Sequence, residues 1–390
     1  MPVFSDAEYG ERVAAVKQSM SKRGIEVLLC SHPANMNYLS GYDGWSYYVH
    51  QLVIVALSRQ RPVWVGRDMD LPGAQATVWM SDDDLRGYPD DYVDNPDKHP
   101  MGFVARVLAE LGEERATIGV EMDAWYFTAA AYVSLQTALP NASFVDAWPM
   151  VNWVRLVKSD AEVGLMRGAA EIVAKAMQRA IDTIEPGVRE NDAVAEITQA
   201  QISGTDEYWG DYPATLAAVP SGARSAAPHL TWSGEPFGDD GMTNIELGGC
   251  HHRYHAALAR TLCLGAVPDE LERVAAVTGD GLDEVLAVLR PGVSCEQVEA
   301  VWAAVIRAAG YEKSSRIGYS IGLNYPPDWG EQSASMRPGD TTRLAPNMCF
   351  HIMLGMWMDG WGYELSETVR VTKSGVEVLT QFPRQLFVKP

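Results

Sequence analysis

Ile245-Glu-Leu-Gly-Gly-Cys-His-His-Arg-Tyr-His-Ala-Ala-Leu-Ala-Arg-Thr261 is the stretch on which the reading of this chain turns. Read as extended chain, it puts His251 and His255 on one face and His252 on the other, because side chains alternate along a strand. The three imidazoles are therefore not expected to converge on a zinc-type site. Glu246 is the one carboxylate in the segment. A structural role open to it is pairing with Arg260 on the neighbouring strand; a chemical role is that of a base or nucleophile.

Helices flank this segment. Ser159 and Glu162 make a capping-box pattern ahead of Val163, Met166, Ala169, Ile172 and Met177, which follow helical spacing. That helix is predicted to stop before Glu185-Pro-Gly-Val188, and Arg290-Pro-Gly-Val293 repeats the arrangement after a helical stretch near 268–289. In each copy the Pro ends one helix, the Gly turns the chain and the Val starts packing the next. The repetition predicts an α+β domain with pseudo-twofold symmetry over 156–390. Residues 1–155 alternate instead. A helix near 6–22 precedes strands at Val27–Cys30, Leu52–Leu57 and Pro62–Val65, and a helix near 99–112 precedes a strand at Thr117–Val120. This alternation predicts a separate domain, a sheet covered by helices. The Asp-rich segment at 81–91 is expected to be a solvated loop.

With 390 residues and 47% hydrophobic content, the chain can build about two domains with real cores. A net charge of −20 argues against nucleic acid or an anionic membrane as partner. No apolar run approaches the roughly 18 residues needed to span a bilayer. The 5 cysteines are scattered, with no Cys-x-x-Cys pair, which predicts reduced thiols. The first residues lack a basic and an apolar region of the secretory kind, so a cytoplasmic protein is expected.

Pro33-Ala-Asn-Met-Asn-Tyr-Leu-Ser-Gly41 resembles the Asn-x-x-Tyr-Leu-Thr-Gly signature of the creatinase/prolidase amino-terminal domain. The segment 245–261 is similar to Asp-Leu-Gly…Gly-Tyr-x-Ser-Asp-x-Thr-Arg-Thr of the creatinase, prolidase and methionine aminopeptidase family. This resemblance implies a creatinase-like amino-terminal α/β domain, a pita-bread catalytic domain after it, and a homodimer. In metal-bearing members, two Asp, one His and two Glu hold a pair of divalent ions. The matching positions here are Glu246, Ala257, Tyr319, Met353 and Ser366. One carboxylate in five does not suit two hard cations, so neither metal nor cofactor is expected.

Several stretches resemble the metal-independent ectoine-hydrolase branch of that family more closely than the creatinases. They include Gly44-Trp-Ser-Tyr-Tyr-Val-His50, Val151-Asn-Trp-Val-Arg155, Pro228-His-Leu-Thr-Trp232 and Gly362-Tyr-Glu-Leu-Ser-Glu367. That branch opens a cyclic amidine, which implies a small zwitterionic substrate such as ectoine or hydroxyectoine. Two rival readings stand beside it: another metal-free amidine or guanidine hydrolase of the creatinase kind, and an inactive pseudo-peptidase with a binding role. Creatinase's essential Glu falls at Ala259, and its Gly-His-Ser-Phe-Gly becomes Gly318-Tyr-Ser-Ile-Gly322.

The resemblance implies a catalytic set of Glu246, His229 and Glu367. Glu246 would attack the amidine carbon or activate a water, His229 would transfer a proton, and Glu367 would sit beside the former metal position. Tyr319 and His255 are implied as substrate contacts. Glu364 flanks a former ligand position and reads equally as a solvated strand residue. Arg337 is expected to hold the substrate carboxylate, lent by a partner subunit, with Arg316 and Arg343 as competitors. Among 12 Trp and 16 Tyr, Trp45 and Tyr48 from a partner and Trp232 are expected to face the cation.

Overall fold

The computed structural model describes residues 2–390, which divide into two compact units, one ending at Arg155 and one spanning Leu156–Pro390. The first opens with the helix Asp6–Lys22, capped by Ser5, whose hydroxyl accepts the Glu8 N–H. Tyr9, Val13, Val16 and Met20 supply its buried face. Six strands follow: β1 Val27–Cys30, β2 Leu52–Ala56, β3 Val63–Arg67, β4 Leu85–Tyr88, β5 Thr117–Val120 and β6 Ser143–Asp146. They form one sheet in the order β4-β3-β2-β1-β5-β6. Strand β2 runs antiparallel to β1 and β3, while the pairs β3–β4, β1–β5 and β5–β6 are parallel. Every residue of β1 and β2 is buried, as continuous apolar runs covered on both faces require. The Asp-rich segment exposes Asp82, Asp83, Asp90 and Asp91 as expected and departs from a solvated loop at Asp84. It forms short 3₁₀ turns, and Asp84 is buried against Arg59 at 3.1 Å and Arg61 at 2.7 Å.

In the second unit, the helix Asp160–Thr183 begins with the predicted Ser159/Glu162 capping box. Both Pro-Gly-Val turns form, with Gly187 and Gly292 at φ of 82° and 88°. The second leads to the helix Cys295–Ala308, which has its own capping box of Ser294 and Gln297. The strands are β7 Gly241–His251, β8 Tyr254–Leu264, β9 Gly318–Ile321, β10 Gly330–Met336, β11 Cys349–Met353 and β12 Met356–Met358. After these come β13 Trp361–Tyr363, β14 Ser366–Val371, β15 Val376–Val378 and β16 Phe387–Lys389. One sheet is ordered β10-β9-β11-β14-β15 and another β16-β8-β7.

β7 and β8 are a hairpin whose two-residue turn, His252 and Arg253, takes positive φ of 49° and 66°. Its register sets Glu246 opposite Ala259 and Gly248 opposite Ala257. β8 meets β14 through hydroxyls: the Ala257 N–H donates to Thr368 Oγ1 at 2.8 Å and the Ala259 N–H to Ser366 Oγ at 2.6 Å. Buried main-chain donors on β8 thus find partners where the sheets adjoin. Gly248 and Gly249 are both needed for close approach. A Cβ on Gly249 would lie 2.0 Å from the Ala169 carbonyl of the long helix, and one on Gly248 would lie 2.8 Å from the Trp329 ring. The Glu-Leu-Gly-Gly sequence therefore fits the hairpin under a helix on one side and under an indole on the other.

Candidate active site

β7, β9, β11 and β12 carry Glu246, Tyr319, Met353 and Trp357 to one cavity of about 470 Å³ in the second unit. Loops add Lys313 and Arg316, Asp328 and Trp329, and Pro228 and His229. Glu246 is fixed from its backbone, which exchanges hydrogen bonds of 3.0 and 3.1 Å with Ala218. On strand β7 it lies between Ile245 and Leu247, which turn into the core.

Low dielectric and like charge govern the acids here. Desolvation, with the nearby Asp328 carboxylate, raises the Glu246 carboxyl to about 7. Asp328 is raised by desolvation too, against the opposing pull of the Gly330 N–H at 2.8 Å and of Arg316. Glu364 is buried, which removes the solvated reading the sequence had left open for it. Desolvation and Glu246 raise it, Lys313 opposes them, and its Oε2 makes no hydrogen bond. Burial lowers the Lys313 ammonium to about 8, with Glu364 resisting. Lys313 Nζ donates to the Gly355 carbonyl at 2.7 Å. The Arg316 guanidinium sits 4.3 Å from the Tyr319 ring centre. The cavity therefore combines carboxyl groups, two cationic side chains and aromatic faces.

Tyr319 and His351 are direct cross-strand neighbours on β9 and β11. The Trp329 Nε1–H donates to the Tyr319 hydroxyl at 2.8 Å, and His351 Nδ1 lies 2.9 Å from the same oxygen. The other nitrogen of His351, Nε2, is 2.7 Å from Ser366 Oγ. Burial, then Arg316, push the His351 imidazole down to about 3, so the ring is neutral.

Of the residues singled out from sequence, Glu246, His229 and Tyr319 meet at this cavity. Glu367 does not. Ser366 and Thr368 face β8, so alternation turns Glu367 to the other face of β14. There it is fully buried, with Arg260 at 2.8 Å, Arg384 at 3.1 Å and the Thr380 hydroxyl on its carboxylate. Arg260 is accordingly the partner of Glu367 and not of Glu246. His255 is also structural: its Nε2 accepts the Ala214 N–H at 2.9 Å and its Nδ1 faces the Gly322 carbonyl, with no exposed surface left. Trp232 is half-buried outside the cavity lining, and Arg337 is exposed, away from the cavity of its own chain. Trp45 and Tyr48 are 60% and 70% exposed on the first unit.

Sequence reading missed Asp328, Lys313 and His351. Asp328 stands in Tyr325-Pro-Pro-Asp-Trp329, where two prolines and two aromatics around one acid were a usable signal of a shaped loop. Lys313 and His351 carried none, since their importance comes from burial.

The metal pair of the family does not fit these residues. Among the positions matched to its ligands only Glu246 is a carboxylate, and the Tyr319 and Ser366 oxygens are committed to His351. Among the described residues, no group of three or more His, Cys, Asp or Glu is placed to share an ion.

Residues 164–373 match metallopeptidase family M24, and residues 12–157 match the creatinase/prolidase N-terminal domain. The chain is 44% identical to the ectoine hydrolase of Halomonas elongata, covering 99% of this chain and 98% of that one. It is 42% identical to an uncharacterized hydrolase/peptidase of Sinorhizobium fredii, with coverage of 99% and 98%. Its fold matches the prolidase of Thermococcus sibiricus with a TM-score of 0.85 at 19% identity, over 98% and 99% of the two chains.

Proposed function

The chain belongs to metallopeptidase family M24, with a creatinase/prolidase amino-terminal domain, and from that footing we propose a metal-independent hydrolase that opens the cyclic amidine ring of ectoine. The observation that carries the reading is the desolvated Glu246 beside Asp328, in a cavity walled by Tyr319, Trp329 and Trp357. A peptide carbonyl is neutral and gains from a Lewis acid. An amidinium is already positive and would be repelled by a divalent ion at the same spot. Carboxylates and aromatic faces attract it instead, each ring by roughly 0.5–2 kcal/mol.

Ectoine also carries a carboxylate, and Lys313 and Arg316 are its counter-charges in the cavity. In the reaction an oxygen bonds to the amidine carbon, one ring C–N bond breaks, and both hydrogens of the consumed water end on the leaving amine. The product is an N-acetylated 2,4-diaminobutyrate. Glu246 either bonds to that carbon, to be displaced later by water, or takes a proton from the water that attacks. His229, on the same cavity wall, delivers a proton to the leaving nitrogen.

The active form on this reading is a cytoplasmic homodimer, in which Trp45, Tyr48 and Arg337 of one copy complete the cavity of the other. Incubation with ectoine, hydroxyectoine and creatine under a chelator, followed by mass spectrometry, tests the assignment. Ring-opened ectoine is expected. Turnover of creatine alone would instead select a guanidine hydrolase, and no turnover of any of them a binding protein.

A further inference from the structure

The wall behind Tyr319 carries a chain of hydrogen bonds whose protons can be counted. Ser366 is fully buried, and its Oγ accepts the Ala259 N–H at 2.6 Å. Its own hydroxyl proton then needs an acceptor, since a buried donor left without one loses its hydration uncompensated. The remaining partner in reach is His351 Nε2, at 2.7 Å. If Nε2 accepts, the single proton of this neutral ring is on Nδ1. Nδ1–H donates to the Tyr319 oxygen at 2.9 Å, where the Trp329 Nε1–H donates as well, at 2.8 Å. A phenolic oxygen has two acceptor positions and one proton. With both acceptor positions filled, the O–H must point elsewhere, and the open side of Tyr319 is the cavity that it lines with Glu246.

We infer that His351 is a positioning residue, held as the Nδ1–H tautomer by Ser366, and that it makes Tyr319 an obligate hydrogen-bond donor into the cavity. The reverse arrangement, with Nε2–H donating to Ser366, would strand the serine proton and draw the Tyr319 proton inward. Burial and the nearby Glu246 charge raise the phenol, so it stays protonated and acts by donating. This inference rests on the proposed ring opening for its purpose: the Tyr319 O–H holds the oxygen already bonded to the former amidine carbon while the tetrahedral adduct loses its hydroxyl proton, re-forms C=O and expels the ring nitrogen, the step in which charge builds on that oxygen. A former ligand position has thus become a hydrogen-bond donor with a fixed direction.

Two experiments test this on the full-length protein. The first, nitrogen NMR of ¹⁵N-histidine-labelled protein, needs no substrate; the His351 signals are identified by their loss in His351→Gln. A protonated Nδ1 and a bare Nε2 are expected, and a proton on Nε2 overturns the inference. The second measures ectoine turnover. Tyr319→Phe is expected to lower kcat about 10²-fold with KM little changed. His351→Leu is expected to cost as much alone but nothing further in the Tyr319→Phe background. His351→Asn, whose amide nitrogen falls near Nδ1, is expected to recover part of kcat. Equal losses from His351→Leu in both backgrounds overturn the positioning role. Should that variant fail to fold, the tautomer measurement still decides. A wild-type protein with no ectoine turnover would sink the ring-opening reading while leaving the tautomer result to stand or fall alone.

Discussion

Asp328 and Glu246 face one cavity from a loop and from strand β7, and the Asp328 charge adds to burial in raising the Glu246 carboxyl to about 7. A raised carboxyl is protonated, and useless as base or nucleophile, below that value. In the free enzyme kcat/KM is therefore expected to rise with pH through about 7. Bound amidinium favours the carboxylate, so the acid limb of kcat should lie lower. Asp328→Asn removes the repulsion and should move the kcat/KM limb to lower pH. A pH–rate series on both proteins checks the direction, and an unmoved limb would separate Asp328 from Glu246.

Glu246→Gln keeps the shape of the side chain and removes its charge and basicity. Loss of kcat/KM by about 10²–10⁴-fold or more is expected, the range of a positioned acid–base group. Thermal unfolding should be unchanged or slightly improved, because the neutral amide no longer repels Asp328 and Glu364. Retained turnover would remove Glu246 from the chemistry.

His229 lines the cavity from a loop rather than a strand. His229→Ala is expected to lower kcat about 10²–10⁴-fold if it protonates the leaving nitrogen. A substrate analogue whose leaving amine is less basic should suffer less from the change. The two kcat ratios, compared for wild type and variant, check it.

Glu367 and Arg260 are an ion pair with no exposed surface on either side chain, 2.8 Å apart. Removing one member leaves the other charged, buried and unpaired, which costs about 3–5 kcal/mol. Glu367→Ala is therefore expected to lower Tm and the denaturation midpoint sharply. KM should not change, since Glu367 turns away from the cavity. A folded variant with normal stability but no activity would restore the catalytic role that the sequence suggested.

Legibility in the sequence followed periodicity. The Ser159/Glu162 capping box, the repeated Pro-Gly-Val turns and the buried strands of the first unit could all be read, because each depends on neighbours in the chain. Glu246 was readable as the lone carboxylate of its segment. Glu367 was misplaced by one step of strand alternation: Ser366 turns its hydroxyl to the Ala259 N–H and His351, so the next side chain leaves by the other face of β14, where Arg260 and Arg384 hold it. Lys313 and His351 were silent for a different reason. They become functional only when tertiary burial strips their water, and no local pattern records that.

Lys313 offers the sharpest separation of charge from packing. Its ammonium is lowered to about 8 because burial outweighs the pull of Glu364. It is charged below that pH and neutral above it, so its hold on the substrate carboxylate should fade as pH rises. An alkaline limb in kcat/KM near pH 8 is the expected consequence. Lys313→Met removes the cation at every pH, and KM for ectoine should rise at neutral pH to the level that wild type reaches only in alkali. Lys313→Arg keeps a charge that does not titrate in this range. Its alkaline limb should vanish, although a planar fork in place of an ammonium on the Gly355 carbonyl is expected to cost some kcat. If Lys313→Arg keeps the wild-type limb, another group titrates there, and the hold on the substrate carboxylate passes from Lys313 to the arginines.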